Sequence, residues 1–84
     1  SDETAGNEDM IYDSTYSDLN EILHKALERL PEIQRSSVLL RDYEGYSYRE
    51  IADITGQTEA QVKINIYRGR LALKAYIGII ESVI

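Results

Sequence analysis

The chain has 84 residues, of which 15 are Asp or Glu, 9 are Lys or Arg, one is His and none is Cys. This length accommodates one small domain, and the lack of Cys excludes disulfide bonds and thiolate zinc sites. No apolar run approaches the roughly 18 residues that cross a bilayer, so no membrane insertion is expected. The formal net charge of −6 argues against unaided binding to nucleic acid, unless the charges are unevenly distributed.

The charges are in fact segregated along the chain. Residues 1–22 contain seven acidic and no basic residues, whereas residues 23–84 contain eight acidic and nine basic residues. The first part therefore carries −7 and the second +1, with four bases and no acid in residues 61–76. Residues 1–16 are also rich in Ser, Thr and Asp. We predict an acidic flexible linker or tail over residues 1–16 and a folded helical domain over residues 17–84.

The first predicted helix begins after Ser17, which is a suitable N-cap residue. Apolar residues then recur at the spacing of one helix face; they are Leu19, Ile22, Leu23, Ala26, Leu27 and Leu30. Pro31 cannot continue this helix, but its fixed φ suits the first position of a second helix, which should run to about Glu44 and end at Gly45. The predicted buried residues of this second helix are Ile33, Val38, Leu39, Leu40 and Tyr43.

Two further helix starts share one signature, a hydroxyl residue followed three positions later by Glu or Gln. Ser47 with Glu50, and Thr58 with Gln61, have the spacing of a capping box, in which each side chain bonds a free backbone N–H of the other residue. Gly56 between them supplies the left-handed conformation that ends a helix. The apolar stripe of the fourth helix consists of Val62, Ile66, Leu73, Ile77 and Ile80.

The sequence therefore predicts an all-α fold, a small four-helix domain that contains a helix-turn-helix over about residues 47–75. In this motif the second helix presents its N-terminal half to the major groove of DNA. With Val62 and Ile66 facing inward, the outward face carries cations, an amide and apolar groups. Cations suit phosphates or guanine, an amide can pair with adenine, and apolar groups can contact thymine methyls. The predicted base-reading residues are Lys63, Ile64, Asn65, Tyr67 and Arg68.

A longer series of residues extends this pattern on both sides of the motif. It comprises Leu30-Pro31, Arg35, Val38-Leu39-Leu40-Arg41, Glu44-Gly45, Ser47-Tyr48, Glu50-Ile51-Ala52, Gly56, Val62-Lys63, Arg68 and Arg70. The run from Leu27 to Lys74 that contains these residues resembles the C-terminal region-four domain of bacterial sigma factors, and within them the extracytoplasmic-function class. The resemblance covers somewhat more than half of the chain without gaps.

The resemblance implies a domain that binds the minus-thirty-five promoter element while docked on RNA polymerase core, through the flap of the β subunit. It also implies phosphate contacts from Arg41, Tyr48, Arg49 and Arg70. An anti-sigma factor is a further expected partner, the expected location is the cytoplasm, and the expected state is a monomer or weak dimer. We expect no metal, because the single His24 has no Cys or second His beside it. We also expect no cofactor and no enzymatic activity, because no pair of carboxylates is placed in an evident cleft beside a nucleophile.

Four positions depart from the usual pattern of the family. Thr55 and Gln57 stand where apolar residues are usual, which predicts a less well packed turn. Ile64 stands where a small polar residue is frequent, and Asn65 where a basic residue is frequent. These four departures leave the fold prediction unchanged, but the promoter sequence that the chain reads stays open.

Two alternatives to this function are open from the residues alone. The output domain of a LuxR-type regulator shares the Ile-Ala and Val-Lys elements, although the Leu30-Pro31 start and the Arg68-x-Arg70 ending favour a sigma factor. A helix-turn-helix kept only as a protein-interaction module is the other alternative, suggested by Asn65, the low charge and the apolar segment Tyr76–Ile84. We predict that this segment continues the last helix across the first and closes the core, with one edge exposed.

Overall fold

The structure, a computed structural model, describes residues 18–83 and their side chains as far as residue 79. Four α-helices and no strand occur in this part of the chain, in agreement with the predicted all-α fold. The predicted acidic tail over residues 1–16, the N-cap at Ser17 and the burial of Ile80 lie outside the described residues or side chains.

The helices follow the predicted order. Helix α1 covers residues 18–28, α2 Glu32–Val38, α3 Tyr48–Thr55 and α4 Glu59–Val83. Helix α2 runs directly into a π-helical segment, Leu39–Tyr43, which the sequence analysis did not predict.

The end of the π-helical segment lies where the sequence placed the end of the second helix. The backbone N–H of Glu44 donates to the carbonyl of Leu39 over 3.1 Å, five residues back, which is the bond that defines this wider turn. Gly45 follows with φ +76° and ends the helix in the left-handed conformation.

Two apolar clusters form the core and join different helices. The first fixes α3 to α4, with Leu40 and Tyr48 packed at its edge; its buried residues are Ile51, Ala52, Val62 and Ile66. The second joins α1, α2 and α4, with Leu23, Leu39 and Leu73 at its edge; its buried residues are Leu27, Leu30 and Val38. Both clusters therefore include the long helix α4, whose position depends on them.

Three residues predicted to be buried are largely exposed. Leu19, in the first described turn of α1, is 57% exposed, and Tyr43, at the last position of the π-helical segment, is 55% exposed. Residues at a helix end have packed neighbours on one side only, so helical spacing overestimates their burial. Ile33 is 39% exposed because it borders an open cleft beside α4 instead of a cluster.

Helices α2 and α4 approach one another closely at Gly69. A Cβ atom added there would lie 2.7 Å from the Cγ2 atom of Val38, which is too close for undistorted packing. Val38 and its neighbour Ser37 are almost fully buried at this crossing. The lack of a side chain at residue 69 therefore sets the distance between the two helices.

The C-terminal half of α4 meets the end of α1 at Leu73 and Tyr76, whereas most of the segment predicted to close the core, Tyr76–Ile84, lies beyond the described side chains. Leu73 contacts the second cluster, and the ring of Tyr76 lies 4.8 Å from the guanidinium carbon of Arg29. Ile77 is half-buried, whereas Ile79 is 63% exposed and forms an open apolar edge.

An ion pair connects the π-helical segment to the middle of α4. Arg70 donates from Nε to Oδ2 of Asp42 over 2.9 Å, and its terminal nitrogen donates to the other carboxylate oxygen. These hydrogen bonds from Arg70 lower the pKa of Asp42, and the nearby charge of Arg41 acts in the same direction. Asp42 therefore stays ionised in the fold at a lower pH than in the unfolded chain.

The close approach at Gly69 gives the first prediction. Gly69→Ala and Gly78→Ala both add the higher helix propensity of Ala, but only residue 69 has a neighbour within 4 Å of the added Cβ. Overpacking costs ~1–3 kcal/mol, so we expect Gly69→Ala to be less stable than Gly78→Ala by about that amount. Urea denaturation measures both free energies of unfolding. Equal stabilities would show that α2 can move away from α4 without loss.

The Asp42–Arg70 pair gives a second prediction. A carboxyl whose pKa is lowered in the fold stabilises it above the unfolded pKa of about 3.9, and this contribution disappears as the pH falls through the lower folded pKa. We expect the wild type to exceed Asp42→Asn in free energy of unfolding by up to ~1 kcal/mol at neutral pH, since both partners are partly exposed. The difference should vanish in acid.

The control for this measurement is Asp53→Asn, which removes an exposed carboxylate that has no ion-pair partner among the described residues. Urea titrations of the three proteins at several pH values give the comparison. A difference between wild type and Asp42→Asn that persists in strong acid would contradict the ion-pair interpretation.

Candidate nucleic-acid interface

The helix-turn-helix is formed by α3, a short turn that begins at Gly56, and the start of α4. Gly56 has φ +72°, and the backbone N–H of Gln57 donates to the carbonyl of Ala52 over 3.1 Å, which ends α3. This is the left-handed helix ending predicted from the sequence, which turns the chain sharply. Val62 and Ile66 of α4 then pack on Ile51 of α3.

Both predicted capping boxes are present. Oγ of Ser47 accepts from the backbone N–H of Glu50 over 3.1 Å, and the Glu50 carboxylate accepts from the N–H of Ser47 over 3.0 Å. These bonds lower the pKa of Glu50. Thr58 and Gln61 make the equivalent pair over 3.1 and 2.9 Å. The starts of α3 and α4 are thus fixed by local hydrogen bonds before any tertiary packing is considered.

Four of the five predicted base-reading residues are exposed on the N-terminal half of α4. Lys63 and Arg68 supply cations, while Ile64 and Tyr67 are 50% and 64% exposed. Large apolar side chains with this exposure have no role in the core. The four side chains form one surface, which we call the reading face: Lys63, Ile64, Tyr67 and Arg68.

The fifth predicted base-reading residue, Asn65, lies at the edge of the reading face. It is half-buried, and its Nδ2 atom donates to Oε1 of Gln57 over 2.6 Å. It borders an open cleft of about 420 Å³ together with Ile33, Ile64 and Arg68. The structure therefore places its amide partly inside the turn, in a fixed orientation, and partly on the surface beside Arg68.

A polar network replaces the apolar packing that the family usually has at the turn. Nε2 of Gln57 donates to Oγ of Ser37 over 3.0 Å and to Oγ1 of Thr55 over 2.8 Å. The two polar residues at this turn, Thr55 and Gln57, bond each other, and Gln57 connects α2, α3 and α4. No buried side-chain nitrogen or oxygen in the described part of the chain lacks a partner.

Ser37 is the residue of this network that sequence reasoning missed. It is fully buried on α2, and its hydroxyl donates to the carbonyl of Ile33 over 2.7 Å. Its position beside Val38, on the buried side of the helix, was the available signal. A hydroxyl in such a place requires a polar partner, but only the fold shows that the partner is Gln57, twenty residues away.

Three of the residues predicted to contact DNA gather at the start of α3. The guanidinium carbon of Arg41 lies 4.6 Å from the centre of the Tyr48 ring, and Nζ of Lys63 lies 5.4 Å from it. Cations are attracted to the face of an aromatic ring, and Arg41 also donates to the carbonyl of Tyr46 over 2.9 Å. The half-buried ring of Tyr48 thus holds two positive charges beside the reading face.

The other two predicted phosphate contacts differ in their surroundings. Arg49 is exposed in the first turn of α3, next to Tyr48. The guanidinium of Arg70 is bound to Asp42, so its charge is neutralised locally. Arg70 would have to exchange this carboxylate for a phosphate in order to contact DNA.

Two other kinds of functional feature, metal sites and membrane spans, are absent from the described residues. They contain no group of three or more His, Cys, Asp or Glu side chains that could hold a metal ion. No helix among them has both the length and the apolar character needed to cross a membrane.

Comparison with known proteins supports the same reading of the motif. Residues 20–73 match the family model "Sigma-70, region 4". The chain is 39% identical over 72 residues to the ECF RNA polymerase sigma factor SigE of Mycolicibacterium smegmatis, covering 86% of this chain and 27% of that protein.

Two further relatives are bacterial sigma factors of other species. RNA polymerase sigma factor SigV of Bacillus subtilis is 41% identical over 46 residues, or 55% of this chain and 28% of the relative. The ECF RNA polymerase sigma-E factor of Escherichia coli is 38% identical over 56 residues, or 67% and 29%. The chain thus spans less than a third of the length of each relative. The family match favours the sigma-factor reading over a LuxR-type regulator, and the chain belongs to the sigma-70 region 4 family.

Proposed function

We propose that this chain is the promoter-recognition domain of an extracytoplasmic-function sigma factor, which places α4 in the major groove of the minus-thirty-five element. The observation that carries this proposal is the reading face, where two cations flank Ile64 and Tyr67, each at least half exposed. A solvated helix face gains nothing from such apolar groups, whereas thymine methyls in the major groove would bury them. The relatives described above are named as RNA polymerase sigma factors.

Each side chain of the reading face suits a different contact with DNA. Arg68 has the forked donors that pair with O6 and N7 of guanine. Ile64 and Tyr67 supply apolar contact area for thymine methyls. Lys63 is held near Tyr48 at the border of the reading face, where it would meet either a base edge or a phosphate.

Phosphate contacts would come from the start of α3 and the π-helical segment. Arg41 and Arg49 flank Tyr48 at the start of α3. Arg70 would join them by exchanging Asp42 for a phosphate oxygen. These contacts set the position of α4 on the duplex but carry no sequence information themselves.

Docking on RNA polymerase would strengthen binding to promoter DNA, to which the low charge of the domain contributes little. Residues 23–84 have a net charge of only +1, so we expect weak binding of the isolated chain to DNA. Tethering raises the effective concentration of the reading face at the promoter without adding a contact to DNA. We assign the groove between α1 and α4, lined by Leu23, Leu73 and Ile77, to the flap of the polymerase β subunit.

The remaining features of the proposal follow from membership of the same class. The domain would work in the cytoplasm, where promoter DNA and polymerase are found, as a monomer or weak dimer. An anti-sigma factor would regulate it by covering the surfaces that contact polymerase or DNA. The proposed activity is recognition and assembly, with no catalytic step.

A salt titration tests whether the chain binds DNA as proposed. Four phosphate contacts, from Arg41, Arg49, Lys63 and Arg70, predict a slope of about −3.6 when log K is plotted against log salt concentration. Fluorescence anisotropy with duplexes of randomised sequence, started at low salt, provides the measurement. No binding at any salt concentration, either alone or in the presence of RNA polymerase core, would contradict the proposal.

Truncation of the main guanine-reading side chain tests the reading face itself. We expect Arg68→Ala to weaken binding to the selected duplex by roughly 5- to 100-fold, the value of one bidentate base contact. Binding to RNA polymerase core should be unchanged. The matched control is Lys25→Ala, which removes an exposed cation from α1. Similar losses in both variants would show that general charge, and not the reading face, determines binding.

A further inference from the structure

The hydrogen bonds of the turn fix the direction in which Asn65 presents its amide. Two hydroxyl groups determine this direction. Oγ of Ser37 lies 2.7 Å from the carbonyl oxygen of Ile33, and Oγ1 of Thr55 lies 2.6 Å from that of Ile51. A carbonyl has no hydrogen, so each hydroxyl must place its only hydrogen on that carbonyl.

The hydroxyls of Ser37 and Thr55 can therefore only accept hydrogen bonds from Gln57. The side chain of Gln57 reaches both of them with one end, at 3.0 and 2.8 Å, so that end must be the NH2 group, which has two hydrogens to give. If the amide were reversed, its oxygen would face two hydroxyl lone pairs and both bonds would be lost. The oxygen Oε1 of Gln57 therefore points away from Ser37 and Thr55, towards α4.

The oxygen of Gln57 in turn fixes the amide of Asn65. Oε1 of Gln57 has no hydrogen, and it lies 2.6 Å from the Asn65 amide, so Asn65 must present Nδ2 to it. Asn65 then retains its acceptor Oδ1 and the second hydrogen of Nδ2. In the described part of the chain neither has a partner, and the residue borders the open cleft beside Arg68.

We propose that Gln57 is a positioning residue for specificity, because it holds Asn65 with its carbonyl oxygen towards the DNA. This inference rests on the proposed function of the reading face. An outward acceptor selects a base whose major-groove edge has an amino group, which is N6 of adenine or N4 of cytosine. Adenine is favoured over cytosine because its N7 also accepts the second N–H of Asn65. Guanine and thymine present acceptors, O6 or O4, against Oδ1 and are rejected.

The specificity test selects binding sites from randomised duplexes with the 84-residue chain and three variants. Asn65→Ala removes the proposed base contact. Gln57→Leu keeps Asn65 but removes the bond that orients it, together with the two bonds to Ser37 and Thr55. It places an apolar residue of similar size where the family usually has one. Gln34→Leu is the matched control, since Gln34 is a half-buried residue on α2 outside the network.

The expected result is one base position at which the wild type and Gln34→Leu select adenine. At that position Asn65→Ala and Gln57→Leu should each reduce the preference by roughly tenfold, with little change in affinity for the rest of the site. A guanine or thymine preference dependent on Asn65, or an unchanged adenine preference in Gln57→Leu, would overturn the inference. A chain that enriches no sequence, either alone or together with RNA polymerase core, would overturn it together with the proposed function.

A second measurement, made without DNA, distinguishes failure of the positioning role of Gln57 from failure of the proposed function. In proton–nitrogen NMR spectra we expect the side-chain amide hydrogens of Gln57 and Asn65 to exchange slowly with water. Gln57→Leu should speed up the exchange at Asn65 while backbone signals of α3 and α4 remain folded. Equally fast exchange at Asn65 in the wild type and in Gln57→Leu would overturn the positioning role even if DNA binding is established.

Discussion

The contact between Val38 and Gly69 is the constraint on which the rest of this structure depends. It fixes the distance between α2 and α4 because a single methyl group at residue 69 would collide with Val38. Ser37, the neighbour of Val38, is thereby placed within hydrogen-bond reach of Gln57 in the turn. One close crossing therefore determines both the apolar core around α2 and the polar network that holds the start of α4.

The polar network gives the turn a different property from apolar packing. Apolar side chains at Thr55 and Gln57 would hold the two helices together without regard to direction. Hydrogen bonds have a donor and an acceptor, so a chain of them transmits an orientation from one end to the other. Here the orientation begins at two backbone carbonyls in the helices α2 and α3 and ends at the amide of Asn65. Three of the four residues that depart from the usual family pattern, Thr55, Gln57 and Asn65, are joined by these bonds.

Much of the fold was predictable because its signals are local. The capping boxes at Ser47 and Thr58 and the left-handed ending at Gly56 involve residues within four positions of one another, and the structure confirms each. The predicted burial of Ile33 and Tyr43 was wrong because helical spacing indicates one face but not how far a neighbouring helix covers it. Similarly, the role of Asp42 as partner of Arg70 depends on a contact over 28 residues.

The charge of the chain and its helix pattern follow from the sequence by itself. Seven of the 15 acids lie in the first 22 residues, so the remainder is almost neutral and has four bases and no acid in residues 61–76. These properties are sums and periodicities along the chain, which no packing can alter. Only the tertiary structure determines which side chains are free to contact a ligand. Asn65 and Arg70, for example, have partners from other segments of the chain. Hydrogen bonds and ion pairs between helices depend on distances that only the folded arrangement of α2, α3 and α4 sets.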